Sequence, residues 1–130
     1  NTFAGNPVSM AAAQAVLNYI RENAILEHTR AMGEKLRAAV SDIATRHPEF
    51  ADVRGAGLFT GIEVVRPGTK EADRPFAVSL IEKLRENHVL ISLCGPYGNV
   101  LKVRPPLVFD DSDLDMFASA LEASLSQLEA

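Results

Sequence analysis

The sequence predicts an α+β fold: two N-terminal helices, a small three- to four-stranded mixed or antiparallel sheet, and helices packed on one face of that sheet. Three observations carry this. Apolar residues recur at steps of three and four near both ends of the chain. Between those stretches the pattern changes to short runs dense in β-formers. Glycine and proline punctuate each change.

Asn6-Pro7 signals the first helix start, because Asn caps free amides and Pro at the first helical position lacks an N–H that would go unpaired anyway. From Met10 to Ile20 the run is rich in Ala with Val16, Leu17 and Ile20, apolar around much of its circumference, and is expected to be buried against something. From Ala24 to about Arg46, Ile25, Thr29, Met32, Leu36, Val40 and Ile43 form one stripe of a long amphipathic helix, with Pro48 just past its end. Gly33 within that stripe is anomalous, costing about 1 kcal/mol against Ala unless a close contact needs it.

Leu58 to Val65, bounded by Gly55 and Gly57 before and Arg66-Pro67-Gly68 after, reads as a strand. Ala77, Leu80, Ile81 and Leu84 give a short helix ending near Asn87, followed by a strand around Val89 to Leu93. The turn cluster Gly95 to Asn99 then leads into a strand from Val100 to Val103, stopped by Pro105 and Pro106. Two strands joined by five turn residues predict a hairpin. Ser112 with Asp115 three residues later resembles a capping box, ahead of a last helix striped by Leu114, Phe117, Leu121, Leu125 and Leu128.

At 130 residues and 47% apolar content the chain is sized for one buried core. A net charge of −4 with both signs interspersed provides no basic field for nucleic acid or an anionic membrane. Cys94 is the sole cysteine, so no internal disulfide framework exists, and a lone thiol suits a reducing compartment, which makes the cytoplasm the expected location. No apolar run approaches the roughly 20 residues of a membrane span, and the start lacks the features of a signal peptide. The first residue is Asn rather than Met, and the expectation is that the sequence begins inside a longer gene product.

No self-sufficient catalytic set is visible. His28, His47 and His88 are scattered and Cys94 has no companion, so no metal site is expected. Gly55-x-Gly57-x-x-x-Gly61 places its third glycine one position late for a dinucleotide fingerprint and runs into a strand rather than a helix. Neither Ser92 nor Cys94 sits in a G-x-S-x-G elbow.

Three blocks together resemble the class III aminotransferases, which depend on pyridoxal phosphate. Asn1-Thr2-Phe3-Ala4-Gly5-Asn6-Pro7-Val8-Ser9 resembles the family's T-[FH]-x-G-N-P-[VL] segment. Val53 to Glu63 is similar to its V-R-G-x-G-L-x-x-G-[IV]-E strand entry, and Leu101 to Leu107 to its C-terminal R-x-x-P-P or K-x-R-P-P-L stretch. Order and separation match over essentially the whole chain. The resemblance implies a type I pyridoxal-phosphate fold assembled as a homodimer. Residues 1–22 would be the linking helix from a large domain, and residues 23–130 the small C-terminal domain.

By the same resemblance Thr2 contacts the cofactor phosphate and Arg104 clamps the substrate carboxylate, a task for a planar bidentate donor. The bland readings are a helix entry for Thr2 and a surface salt bridge for Arg104. No catalytic residue is implied in this chain: the cofactor lysine would lie upstream of Asn1, and none of Lys35, Lys70, Lys83 or Lys102 sits in its motif. Some relatives acting on phosphorylated amino-alcohols carry lysine at the clamp position and share a G-P-x-x-N-V-L-K run like Gly95 to Lys102. The remaining marked residues have structural readings. Gly55, Gly57 and Gly61 would serve special backbone angles or close approach, and Arg54 with Glu63 a cross-strand ion pair, a domain contact or solvated surface. His28 and His88 would be exposed helix-end residues, and Cys94 would fill a small apolar space. The function expected is transfer of an amino group from an amino acid or amine to a 2-oxo acid or aldehyde. The alternatives are a phospholyase acting on an amino-alcohol phosphate and a non-catalytic α+β binding module.

Overall fold

The computed structural model describes Thr2 and residues 4–129, the last of these for its backbone only. Helix α1 (Pro7–Glu22) starts as its sequence dictates: Asn6 is extended and its side chain accepts a hydrogen bond from the Ser9 amide at 3.0 Å. None of its residues is buried. Val8 is 80% exposed, and Met10, Val16, Leu17 and Tyr19 are also open to solvent. The expectation that this segment is buried against another element is therefore not met: among the described residues α1 touches only α2, at their junction.

The chain turns through Ala24 in the left-handed region, φ 48°, into α2 (Ile25–Ala44). The expected stripe faces the core, with Ile25, Met32, Leu36, Val40 and Ile43 buried and Thr29 half-buried. Gly33 also finds its reason: a Cβ there would lie 2.0 Å from the Gly57 carbonyl oxygen. One turn further, Arg37 Nη1 donates to that same oxygen at 2.8 Å. The β-hairpin turn thus rests on bare helix backbone, and this contact offsets the helix penalty of glycine.

The hairpin joins β1 (Phe50–Ala56) to β2 (Phe59–Val64) across Gly57-Leu58, with Gly57 at φ 51°. Strand β1 was not expected. Its Ala, Asp and Gly residues are poor strand formers, and as an edge strand it buries only Phe50. After α3 (Arg74–Glu86), capped by Asp73 accepting from the Phe76 amide at 3.0 Å, the chain enters β3 (Ser92–Cys94). This strand begins later than the expected Val89 to Leu93. His88 turns at φ 67° and the Val89 amide bonds back to Leu84 at 2.8 Å, so these residues finish the helix instead.

Strands β3 and β4 (Val100–Val103) form the expected hairpin, and the sheet is antiparallel throughout in the order β1-β2-β4-β3. Buried Asn99 fastens its turn: its side chain donates to the Val64 carbonyl at 2.7 Å while its own carbonyl accepts from the Val64 amide at 2.9 Å. Helix α4 (Asp111–Glu129) is capped two residues earlier than expected. Asp110 and Asp113, not Ser112 and Asp115, exchange reciprocal side-chain-to-amide bonds at 3.1 and 3.2 Å, because Asp110 is where the chain leaves the preceding turn. Helices α2 and α3 lie on one face of the sheet and α4 packs on both, enclosing Leu36, Ile62, Leu80, Leu84, Leu101, Leu121 and Leu125. Among the described residues no helix is long and apolar enough to cross a membrane.

Candidate substrate site at the end of β4

Strand alternation sorts the sheet residues. Ile62, Leu101 and Val103 point into the helices and are buried, so their neighbours in sequence occupy the other face. On that face the register aligns Arg54, Gly61, Lys102 and Ser92 in one row across the four strands. Asp52, Glu63, Val100 and Cys94 form the next row, which leaves Cys94 half-buried at an edge rather than filling an interior space.

The charges of the two rows are not equally compensated. Arg54 holds Asp52 at 2.5 Å and Glu63 at 2.7 Å, the cross-strand ion pair that was one of its expected readings. Those hydrogen bonds, Asp52 first and Glu63 second, push the guanidinium pKa above its ordinary value. The side chains of Lys102 and Arg104 make no hydrogen bond or ion pair with the described residues; Lys102 is half-buried and Arg104 exposed. Arg104 lies just past the end of β4, two residues after Lys102.

Lys102 and Arg104 line a cavity of about 650 Å³ that opens where the chain before β3 and the chain after β4 diverge. Phe109, Met116 and Phe117 form its apolar wall, and His88, Ser92 and Asp113 contribute its other polar groups. Asp113 is engaged, since one of its carboxylate oxygens accepts from the Asp110 amide.

The segment after Arg104 is tethered rather than loose. Its turn closes with the Phe109 amide on the Pro106 carbonyl at 3.0 Å. His28 Nε2 donates to the Phe109 carbonyl at 2.8 Å, and Lys35 meets Asp111 at 2.6 Å, so α2 fastens the link at two points. His28 is therefore a half-buried tether, not the exposed helix-end residue expected. The signal was present: three residues after Ile25 and four before Met32, it lies on the core side of α2. His88 is exposed at the end of α3, as expected, on the cavity rim.

Thr2 is exposed in the turn ahead of α1; its motif neighbours Asn1 and Phe3 lie outside the described residues. The first turn of α1 carries no acidic residue, and Gly5 has nothing within 4 Å of where a Cβ would stand. A hydroxyl, an open glycine and a helix N-terminus free of carboxylates fit one end of a phosphate group. The structure does not bring Thr2 and Arg104 together, because among the described residues α1 packs only on α2.

The model of the class-III aminotransferase family matches residues 1–125. Among curated relatives, the chain is 38% identical to an ethanolamine-phosphate phospho-lyase homologue of Caenorhabditis elegans, over 97% of this chain and 27% of that protein. It is 34% identical to a 5-aminovalerate aminotransferase of Pseudomonas putida, over 98% of this chain and 30% of that protein. Among solved structures, a phospholyase from Arthrobacter in complex with phosphoethanolamine superposes with a TM-score of 0.93 at 43% identity, covering 97% of this chain and 30% of that one. The chain thus spans less than a third of the length of these relatives.

Proposed function

Because this chain belongs to the class-III aminotransferase family, we propose that it serves as the small domain of a longer pyridoxal-phosphate-dependent enzyme. That enzyme moves an amino group from an amino acid or amine to a 2-oxo acid or aldehyde. Residues 1–22 form the helix leading from its large domain and residues 23–130 the small domain. The enzyme works as a homodimer in the cytoplasm. The observation that supports this reading most is an unpaired guanidinium, Arg104, at the rim of a cavity on a chain matching the family over residues 1–125.

Arg104 orients the substrate by a bidentate grip on its carboxylate, and the apolar wall of Phe109, Met116 and Phe117 limits water around that contact. Thr2 and the amide end of α1 hold the cofactor phosphate. The cofactor, when bound, supplies the electron sink that lets the substrate's α-proton leave. No residue of this chain is assigned the proton transfer.

Arg104→Ala in the full-length enzyme tests the reading. Truncating one partner of a partly desolvated charge pair costs about 2–5 kcal/mol, so kcat/KM toward carboxylate-bearing donors should fall by at least roughly 30-fold with cofactor affinity unchanged. Unchanged kinetics toward every amino-acid donor would remove Arg104 from the site.

A second reading keeps the cofactor and changes the reaction: a lyase converting an amino-alcohol phosphate and water into an aldehyde, ammonia and inorganic phosphate. The Gly95 to Lys102 run favours it, as do the likenesses to the Caenorhabditis elegans and Arthrobacter proteins. Phosphate released from such a substrate without any 2-oxo acid present distinguishes lyase from transaminase.

A further inference from the structure

We infer that His28 of α2 is a positioning residue for the substrate: by holding the Phe109 carbonyl it fixes the link from Arg104 to Phe109, and with it the direction in which Arg104 presents its guanidinium to the cavity. This role rests on the reading of Arg104 as the carboxylate clamp of an amine-processing enzyme, and adds to that site a residue that never touches the substrate.

Val103 is buried and paired with Thr60 at the end of β4, and Phe109 is buried ahead of α4. Between them Arg104, Pro106, Leu107 and Val108 are exposed and Pro105 is half-buried, so packing into the core holds the link only at its two ends. The end at Phe109 receives the hydrogen bond from His28 Nε2 at 2.8 Å. His28 is itself well fixed. Its amide bonds to the Ala24 carbonyl at 3.0 Å, and Ile25 and Met32, on the same side of α2, are buried.

The two prolines let the link transmit a shift rather than absorb it. Each sets its own φ near about −65° and restricts the residue before it to extended backbone, so Arg104 and Pro105 have little freedom. The Phe109 amide on the Pro106 carbonyl joins this stiff arm to the residue that His28 holds. Arg104, Pro105, Pro106 and Phe109 all line the cavity, so a shift at Phe109 reaches the apolar wall and the guanidinium together. A misplacement of about 1 Å at a reacting site costs on the order of 100-fold in rate.

A carbonyl oxygen only accepts, so the contact needs a proton on Nε2, which the neutral Nε2–H tautomer and the charged ring both supply. Donation can therefore be separated from the bulk of the ring. His28→Phe keeps a ring without the donor, and His28→Gln keeps a donor without the ring.

The experiment uses the full-length enzyme loaded with its cofactor, reacted in single turnovers with L-alanine and with isopropylamine, which has a methyl group where L-alanine has its carboxylate. Half-saturating concentration and limiting rate constant are read for each amine, and amide hydrogen exchange across residues 105–110 is measured on the same proteins. His28→Phe should raise the half-saturating concentration of L-alanine about 10-fold, leave its limiting rate and both constants for isopropylamine within about 2-fold, and speed exchange of the link. His28→Gln should return both readouts to within about 3-fold of the wild type. In an Arg104→Ala background His28→Phe should have no further effect on L-alanine, because the two residues act as one unit. Equal losses for the two amines would make His28 a general support of the fold and overturn the inference. So would L-alanine kinetics unmoved by His28→Phe, or an undiminished loss in the Arg104→Ala background, and each of these leaves the amine-processing enzyme standing. If the loaded enzyme reacts with neither amine, the proposed function itself fails, and the inference with it.

Discussion

Replacing Gly33 by Ala sets two physical effects against each other, and the structure decides between them. In an isolated helix the change is favourable by about 1 kcal/mol. Here the new methyl would stand 2.0 Å from the Gly57 carbonyl oxygen, and ordinary contact begins at 3.4 Å, so helix and hairpin must separate by about 1.4 Å. The obstacle is backbone on both sides, which no rotamer change relieves. Overpacking of this kind costs about 1–3 kcal/mol. The displaced turn also weakens the Arg37 bond to Gly57, a contact from a charged donor worth about 1.5–3 kcal/mol. Subtracting the helix gain leaves a net loss of about 1.5–5 kcal/mol, a large part of the 5–15 kcal/mol that holds a domain of this size. At roughly 4 °C per kcal/mol the melting temperature should fall by about 6–20 °C. Thermal and urea denaturation of the chain, followed by circular dichroism, read this directly. Gly68→Ala is the control: nothing stands within 4 Å of its Cβ, so only the strain of φ 74° applies, about 1–2 kcal/mol. A Gly33→Ala variant as stable as the parent chain would refute the claim that the helix–hairpin approach is what requires glycine.

Three further outcomes are expected. His28→Phe should cost about 1 kcal/mol through the lost bond to the Phe109 carbonyl and speed amide hydrogen exchange across residues 105–110; exchange rates equal to the parent's would mean that the tether does not hold that link. The Asp110 carboxyl is held below its usual pKa first by the Ser112 hydroxyl and then by the Asp113 amide. A depressed folded pKa gives stability that is fully present above the unfolded value and lost as pH falls through the folded one, so urea midpoints should fall on acidification below about pH 4, and less steeply in Asp110→Asn; identical slopes would dismiss the cap as the cause. The apolar side of α1 should make the chain self-associate, as light scattering over a concentration series would show, and Val16→Glu with Leu17→Glu should reduce it; a chain that stays monomeric at every concentration would mean α1 is stable without cover.

What the sequence disclosed follows from which residues answer to a local rule. The α2 stripe was legible because period 3.6 depends only on spacing, and the five-residue hairpin loop because Gly95, Pro96 and Gly98 permit little else. Strand β1 was invisible: Ala51, Asp52, Arg54 and Gly55 carry no strand preference, and the segment pairs because β2 offers it a ladder, which is a tertiary fact. The shift of β3 has the same origin, since nothing local says that Val89 spends its amide on Leu84. The cap of α4 was displaced because Ser and Asp cap equally well, so a run of Asp110, Asp111, Ser112 and Asp113 leaves the choice to the preceding turn. At the candidate site, Arg104 was singled out by resemblance to a motif and Lys102 by the Gly95 to Lys102 run, whereas the row that joins Lys102 to Ser92 and Gly61 appears only in the register.

The residues of this chain divide by whether their physical demands are met within it. Gly33, Arg37, Asn99 and His28 each break a simple expectation and each is answered by a named atom of another element. Val8, Val16 and Leu17 on α1 expose apolar surface, and Lys102 and Arg104 carry charge with no counter-ion among the described residues. Selection for folding alone has no reason to keep the second group, because an Ala-rich helix with a polar outer face and a paired or neutral end to β4 would leave the same core intact. Unmet demands of opposite kinds therefore call for different complements. The apolar helix asks for a protein surface, and the two cations ask for an anion, so a substitution that relieves one should leave the other untouched.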